Sequence, residues 1–159
     1  LCLPGRKSGK NSAMGTPTST RQKFQQLSAT DRRLVIRAVY WLGIARLMLV
    51  VMPFRRLSER LAKERSEPTP EPDTGYFERV GFAVRAAANN VPWRSDCFPQ
   101  TIAARMLLRR RGFASTIHFG VEKAGEGNIA AHAWLTCGET VVTGGGDLGR
   151  YTEMHRINA

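Results

Sequence analysis

The chain lacks paired cysteines. Its three, Cys2, Cys97 and Cys137, are odd in number and widely separated. With no C-x-x-C or H-x-x-x-H pair, neither a disulfide framework nor a structural zinc cluster is indicated, and a reducing cytoplasm is the default compartment. Acidic residues are also scarce. Thirteen Asp and Glu stand against 24 Lys and Arg, a formal charge of +11 and a pI near 10.6. That balance favours an acidic partner, whether nucleic acid, an anionic membrane face or an acidic peptide, and does not choose among them. The opening "LCLPGRKSGKNSA" has no apolar core of a secretory signal. It does not start with methionine; Met14 is a candidate internal start, which would make residues 1–13 a read-through. "MGTPTS" at 14–19 fits the myristoylation pattern, one short enough to arise by chance. No P-loop is present, since "GRKSGKNS" at 5–12 fails the spacing. No RNP, helix-turn-helix or zinc-finger pattern accompanies the charge, and no internal repeat is found.

What is present divides into four stretches. Residues 1–27 read as a basic, disordered N-terminal tail. Residues 28–65 read as a helical segment, opened by Ser28 or Thr30 as N-cap with Asp31 suited to the helix dipole, and stopped or kinked at Pro53. Arg37 and Arg46 cut its apolar part into runs of about eight residues, short of the ~20 that span a bilayer. Nine residues apart, they fall on opposite helix faces, so no single apolar face is expected to escape both. A buried packing helix is the first reading. Peripheral membrane contact through residues 34–65 is the second, which makes the localisation cytoplasmic or membrane-associated. "SEPTPEPDTG" (66–75) is a Pro-rich linker. Residues 76–159 form an α+β core. Two helices (76–91 and 97–111) come first, the second with Phe98, Ile102, Met106 and Leu107 inward and Arg105, Arg109 and Arg110 outward, ending at Gly112. Strands over 114–122, "IAAHAWLTC" and "ETVVTG" follow, the last two a hairpin around Gly138.

Three residues stand out chemically. Pro99 lacks an N–H and belongs in a first helical turn, which sets Cys97 at or near the helix start, where free N–H groups and the dipole stabilise a thiolate. Alone, such a cysteine is more often structural. His132 sits among alanines in "AAHAW", where small neighbours let another side chain approach the ring; the plain reading is a half-buried strand histidine. His132 and Trp134 share one face and Cys137 the other, which argues against a metal site built from Cys97, His132 and Cys137. A two-residue turn at Gly138 and Glu139 pairs Cys137 with Thr140 and sets His132 opposite Gly145. Asp147 then lies diagonally on the histidine's face, with the plain alternative of a solvated loop acid. Together the order is that of thiol catalysis: nucleophile, base, and an acid that holds the base's tautomer. No cofactor is called for.

"CFPQTIAARMLLRRRGFASTIHFGV" followed by "AHAWL" resembles the transglutaminase-like peptidases that mature lasso peptides. "LVIRAVYWLGIARLMLVVMPFRRL" is similar to their helical N-terminal segment. The resemblance implies a papain/transglutaminase-like core, a nucleophile helix packed on a small antiparallel sheet, with an N-terminal helical extension. It implies a cysteine peptidase that removes the leader from a ribosomal precursor peptide, with Cys97 as nucleophile and His132 as base. The family's acid falls about a dozen residues after its histidine, where this chain has Gly144; Asp147 stands three later. The implied partners are the lasso precursor's leader region, a separate leader-recognition protein and an asparagine-synthetase-like cyclase. Trp93, Gln100 and Trp134 are substrate-binding candidates, Gln100 and Trp93 as neighbours of the oxyanion and Trp134 as a shield for the imidazole. The alternatives are another transglutaminase-like acyl transferase and a basic nucleic-acid-binding module.

Overall fold

The computed structural model describes residues 26–63, 71–123 and 129–158. The expected tail, up to residue 25, the end of the helical segment, 64–65, and the first half of the Pro-rich linker, 66–70, lie outside the described residues. Helix α1, Ala29–Val51, starts where Ser28 accepts the Asp31 N–H at 3.1 Å. It stops at Met52, whose backbone is extended before Pro53, as the residue preceding a proline prefers. Helix α2 spans Phe54–Lys63. Helix α3, Thr74–Ala88, is capped by Asp73, whose carboxylate accepts the Tyr76 N–H at 2.8 Å. Helix α4, Cys97–Arg109, is followed by Gly112 at φ 78°, the left-handed exit that glycine adopts without steric cost.

Strands β1 (Thr116–Lys123), β2 (Ile129–Cys137), β3 (Thr140–Thr143) and β4 (Thr152–Ile157) form one antiparallel sheet in the order β3-β2-β1-β4. The β2–β3 hairpin turns at Gly138, φ 59°, and pairs Cys137 with Thr140, as its length predicts. A register shift between Leu135 and Thr136 then sets Leu135 opposite Thr143. The sequence pattern, which allows three or more strands, does not locate the fourth. Of its six residues only Ile157 is buried, so this edge strand shows no alternation of polar and apolar positions from which it could be read.

Alternation along the strands divides the sheet. Ile117, Leu135, Cys137 and Ile157 join the buried core with the helices. His118, Gly120, His132 and Trp134 project from the other face, paired across β1 and β2 as Gly120 with His132 and His118 with Trp134. Helices α1 and α3 pack on one another and on α4, and α4 packs on β2 and β3. Leu34, Val35, Ala38, Leu42 and Ala45 of α1 therefore share one core with Phe77, Val80 and Val84 of α3 and Ile102, Leu107 and Leu108 of α4. The structure is α+β, with a helix beginning at a cysteine laid on a small antiparallel sheet.

Two expectations about arginines are corrected. Arg105 points inward and is 1% exposed. Residues 101–108 of α4 are all buried, because this helix is covered by α1, α3 and the sheet, and a helix enclosed on every side has no solvent face for a charge to occupy. The Arg105 guanidinium instead donates to the carbonyls of Leu61 (2.5 Å), Ile157 (3.3 Å) and Ser115 (3.5 Å), tying the ends of α2 and β4 and the entry to β1. Arg37 and Arg46 do lie on opposite sides of α1, both exposed. They fall on its flanks, however, leaving two apolar faces clear of both: one in the core, the other carrying exposed Ile36, Tyr40, Leu47, Val50 and Val51.

Candidate active site

Cys97 is the first residue of α4, with Asp96 in the N-cap position and Pro99 two residues into the helix. Asp96 makes no side-chain capping bond there. The helix start thus directs its backbone N–H groups and the positive end of its dipole towards the cysteine. One turn on, the Thr101 hydroxyl donates to the Cys97 carbonyl at 2.7 Å and also lies 3.5 Å from the Ala133 carbonyl of β2. Phe98 anchors the same turn, its ring 5.0 Å from Phe119 on β1 and 5.8 Å from Phe54. Residue 101 was not singled out in the sequence, although its spacing, four after the cysteine, puts it on the same side of the helix.

His132 precedes Ala133 on β2. Its ring lies against Tyr151, with centroids 4.9 Å apart, and stacks on Trp134 at 6.1 Å. Trp134 in turn stacks on His118 at 5.2 Å with the planes 4° apart. Gly120 makes room for this packing: a Cβ there would come within 2.9 Å of both the Trp134 ring and the Tyr151 Cβ. Trp134 and Tyr151, the latter absent from the sequence reading, are thus the two rings that lie against the imidazole.

The partner of the histidine is the Gly144 carbonyl, 2.8 Å from Nε2. A carbonyl only accepts, so Nε2 carries a proton, and in the neutral ring the lone pair is on Nδ1. Gly144 turns at φ 73° against β2, where a Cβ would lie 2.5 Å from the Ala133 carbonyl oxygen. The expected pairing of Asp147 with His132 is not the one the structure makes. Asp147 is exposed beside the short 3₁₀ turn Leu148–Arg150, and among the described residues none of its hydrogen bonds reaches the imidazole. Regular pairing of β2 with β3 ends at Leu135 and Thr143, and the chain turns at Gly144, so the count along an ideal hairpin cannot be carried on to residue 147.

The other candidates are placed as follows. Gln100 donates from Nε2 to the Ser95 carbonyl at 2.7 Å, bracing the loop ahead of Cys97. Trp93, on that same loop, lines an open apolar recess of about 390 Å³ with Gly43, Arg46, Leu47 and Val50 of α1. Cys137 lies in the core, its thiol donating to the Ala114 carbonyl at 3.0 Å, and burial pushes its pKa up. That is the setting of an inert cysteine rather than a nucleophile. No cluster of three or more metal-ligating side chains occurs among the described residues.

A helix that begins at a cysteine, laid on a small antiparallel sheet whose second strand carries a histidine, defines the class by its architecture, an α+β protein with a helix-on-sheet core. The family model of the transglutaminase-like superfamily matches residues 39–156, and the chain belongs to that superfamily, one of cysteine proteases and acyl transferases. No curated protein and no solved structure matches it.

Proposed function

We propose that the chain is a cysteine peptidase that removes the leader from a ribosomally made lasso precursor, with Cys97 as nucleophile and His132 as base. The observation that carries the reading is the meeting at Ala133. The Thr101 hydroxyl, bonded to the Cys97 carbonyl, lies 3.5 Å from the Ala133 carbonyl, and Gly144, which accepts from His132, packs too closely against that same carbonyl to carry a side chain. Cys97 and His132 thus sit on adjoining elements, and the reading requires the imidazole, which projects from the sheet face away from α4, to turn towards the cysteine with Nδ1 as its base. The lasso assignment rests on the "AHAWL" and "CFPQTIAARMLLRRRG" resemblance.

In this mechanism Nδ1 of His132 takes the Cys97 proton, and the thiolate attacks the carbonyl carbon of the peptide bond joining leader and core. The oxyanion develops at the start of α4, where the Cys97 N–H donates to it. The C–N bond breaks as the imidazolium returns its proton to the departing core amine, leaving the leader as a thioester. Water, deprotonated by Nδ1, attacks that thioester. The C–S bond breaks, the leader leaves as a carboxylic acid and the thiol is restored. A separate leader-recognition protein presents the precursor, and the cyclase consumes the freed core.

Mass spectrometry of a lasso precursor incubated with this chain and a leader-binding protein tests the reading. Hydrolysed leader and free core support it. A leader joined to an added amine would show an acyl transferase instead. Cys97→Ala is expected to lower cleavage by about a thousandfold or more, and full cleavage by that variant would end the assignment.

A further inference from the structure

We propose that the outer face of α1 lies flat on an anionic lipid surface, with the helix axis in the plane of the membrane. Ile36 (59% exposed), Tyr40 (61%), Leu47 (58%), Val50 (70%) and Val51 (69%) are large apolar residues left in solvent. At 3.6 residues per turn they fall, with Gly43, within an arc of about 100°. That arc is opposite the buried Leu34, Val35, Ala38, Leu42 and Ala45. A helix apolar on both faces, with only one covered, calls for a second apolar environment. By length and composition α1 is also apolar enough to cross a membrane. Spanning would strip its inner face from α3 and α4, whereas in-plane contact uses only the exposed face.

Charge selects the occupant. Arg37 and Arg46 are exposed about a quarter-turn to either side of the arc's centre, placed to reach headgroups while the arc enters the acyl boundary. Beyond the break at Pro53, Arg55 and Arg56 at the start of α2 are also exposed. The only acid in α1 is Asp31, which is already paired with Arg79 at 2.8 Å. A second copy laid on this face about a twofold axis would therefore set arginine flanks against arginine flanks, while anionic headgroups would neutralise them. The Trp93 recess opens on the same face through Leu47 and Val50, which puts the loop before Cys97 at the lipid surface. The inference does not depend on the chemistry assigned to Cys97.

Sedimentation of the full chain with vesicles of phosphatidylcholine and phosphatidylglycerol in equal parts, against phosphatidylcholine alone, tests it. The expected result is binding to the anionic vesicles that weakens with salt. Leu47→Glu with Val50→Glu should lower it by roughly tenfold or more, with the helical circular dichroism unchanged. Arg37→Gln and Arg46→Gln should each cost about fivefold on the anionic vesicles. Failure of the wild type to bind them, or equal binding by the glutamate variant, would overturn the proposal. So would a wild-type dimer in light scattering that the glutamate variant dissociates, since the face would then belong to a second copy.

Discussion

Gly144 is the residue on which the histidine's orientation turns, and it acts through its backbone. Its carbonyl accepts from Nε2, the task that a carboxylate performs in Ser-His-Asp and Cys-His-Asp catalysts. A neutral acceptor fixes the tautomer, though it stabilises the imidazolium less than an anion would. Gly144→Ala is expected to lose about 1–3 kcal/mol of stability, because φ 73° strains a side-chain residue and the added Cβ meets the Ala133 carbonyl. Cleavage should fall with it, and thermal melting with product assay on the same samples reads both. Asp147→Ala should leave cleavage within about twofold if the carbonyl is the orienting group. A loss of a hundredfold or more would instead make Asp147 the acid. The sequence could set Cys97 near a helix start from Pro99 and His132 beside Trp134 from strand parity. It could not show the histidine's partner, because a backbone carbonyl leaves no side-chain signature and the regular hairpin pairing ends at Thr143, before Gly144.

Among the elements, α4 carries the most constraint, lying between α1, α3 and the sheet with its cysteine at one end and Arg105 at its centre. An amphipathic pattern identifies a helix that has one wet side, and on that pattern Arg105 reads as outward. In an enclosed helix the same residue has to bring its charge inside, and it does so by collecting carbonyls from the ends of α2 and β4 and from the residue before β1. Arg105→Ala would leave those carbonyls without their donor and open a void, so a loss of about 3–5 kcal/mol is expected in denaturant unfolding. Arg105→Lys should recover only part of it, since one ammonium cannot reproduce the guanidinium fork. The helices, the hairpin turn at Gly138 and the α+β class were legible because each has a local cause, a cap, a breaker or a two-residue turn. The fourth strand and the burial of Arg105 were not, because both depend on which neighbours arrive from elsewhere in the chain.

At the scale of the whole molecule, the stability of the helix layer is linked to pH from both sides. On the acid side, the Ser28 hydroxyl and the Arg79 guanidinium hold the Asp31 carboxyl below its ordinary value, at the point where α1 is tied to α3. A depressed carboxylate contributes stability above its unfolded pKa and loses it as pH falls through the folded one, so the α1–α3 tie weakens in acid. On the alkaline side, burial raises the pKa of both Cys137 and Tyr76. Their folded forms hold protons that an unfolded thiol releases near pH 9.0 and an unfolded phenol near pH 10.0. Above those values the unfolded chain binds fewer protons than the native one, and stability must fall as pH rises. The two groups lie apart, Cys137 at the end of β2 and Tyr76 in α3 with its hydroxyl donating to the Leu107 carbonyl at 3.3 Å, so their contributions should separate. Melting temperature measured against pH is expected to decline from about pH 9 upward in the wild type. Cys137→Ala, whatever its effect at neutral pH, should shift the onset of that decline towards pH 10.0, where Tyr76 takes over. An unchanged onset would mean that the Cys137 thiol ionises as readily folded as unfolded, and that its place in the core is not closed to solvent.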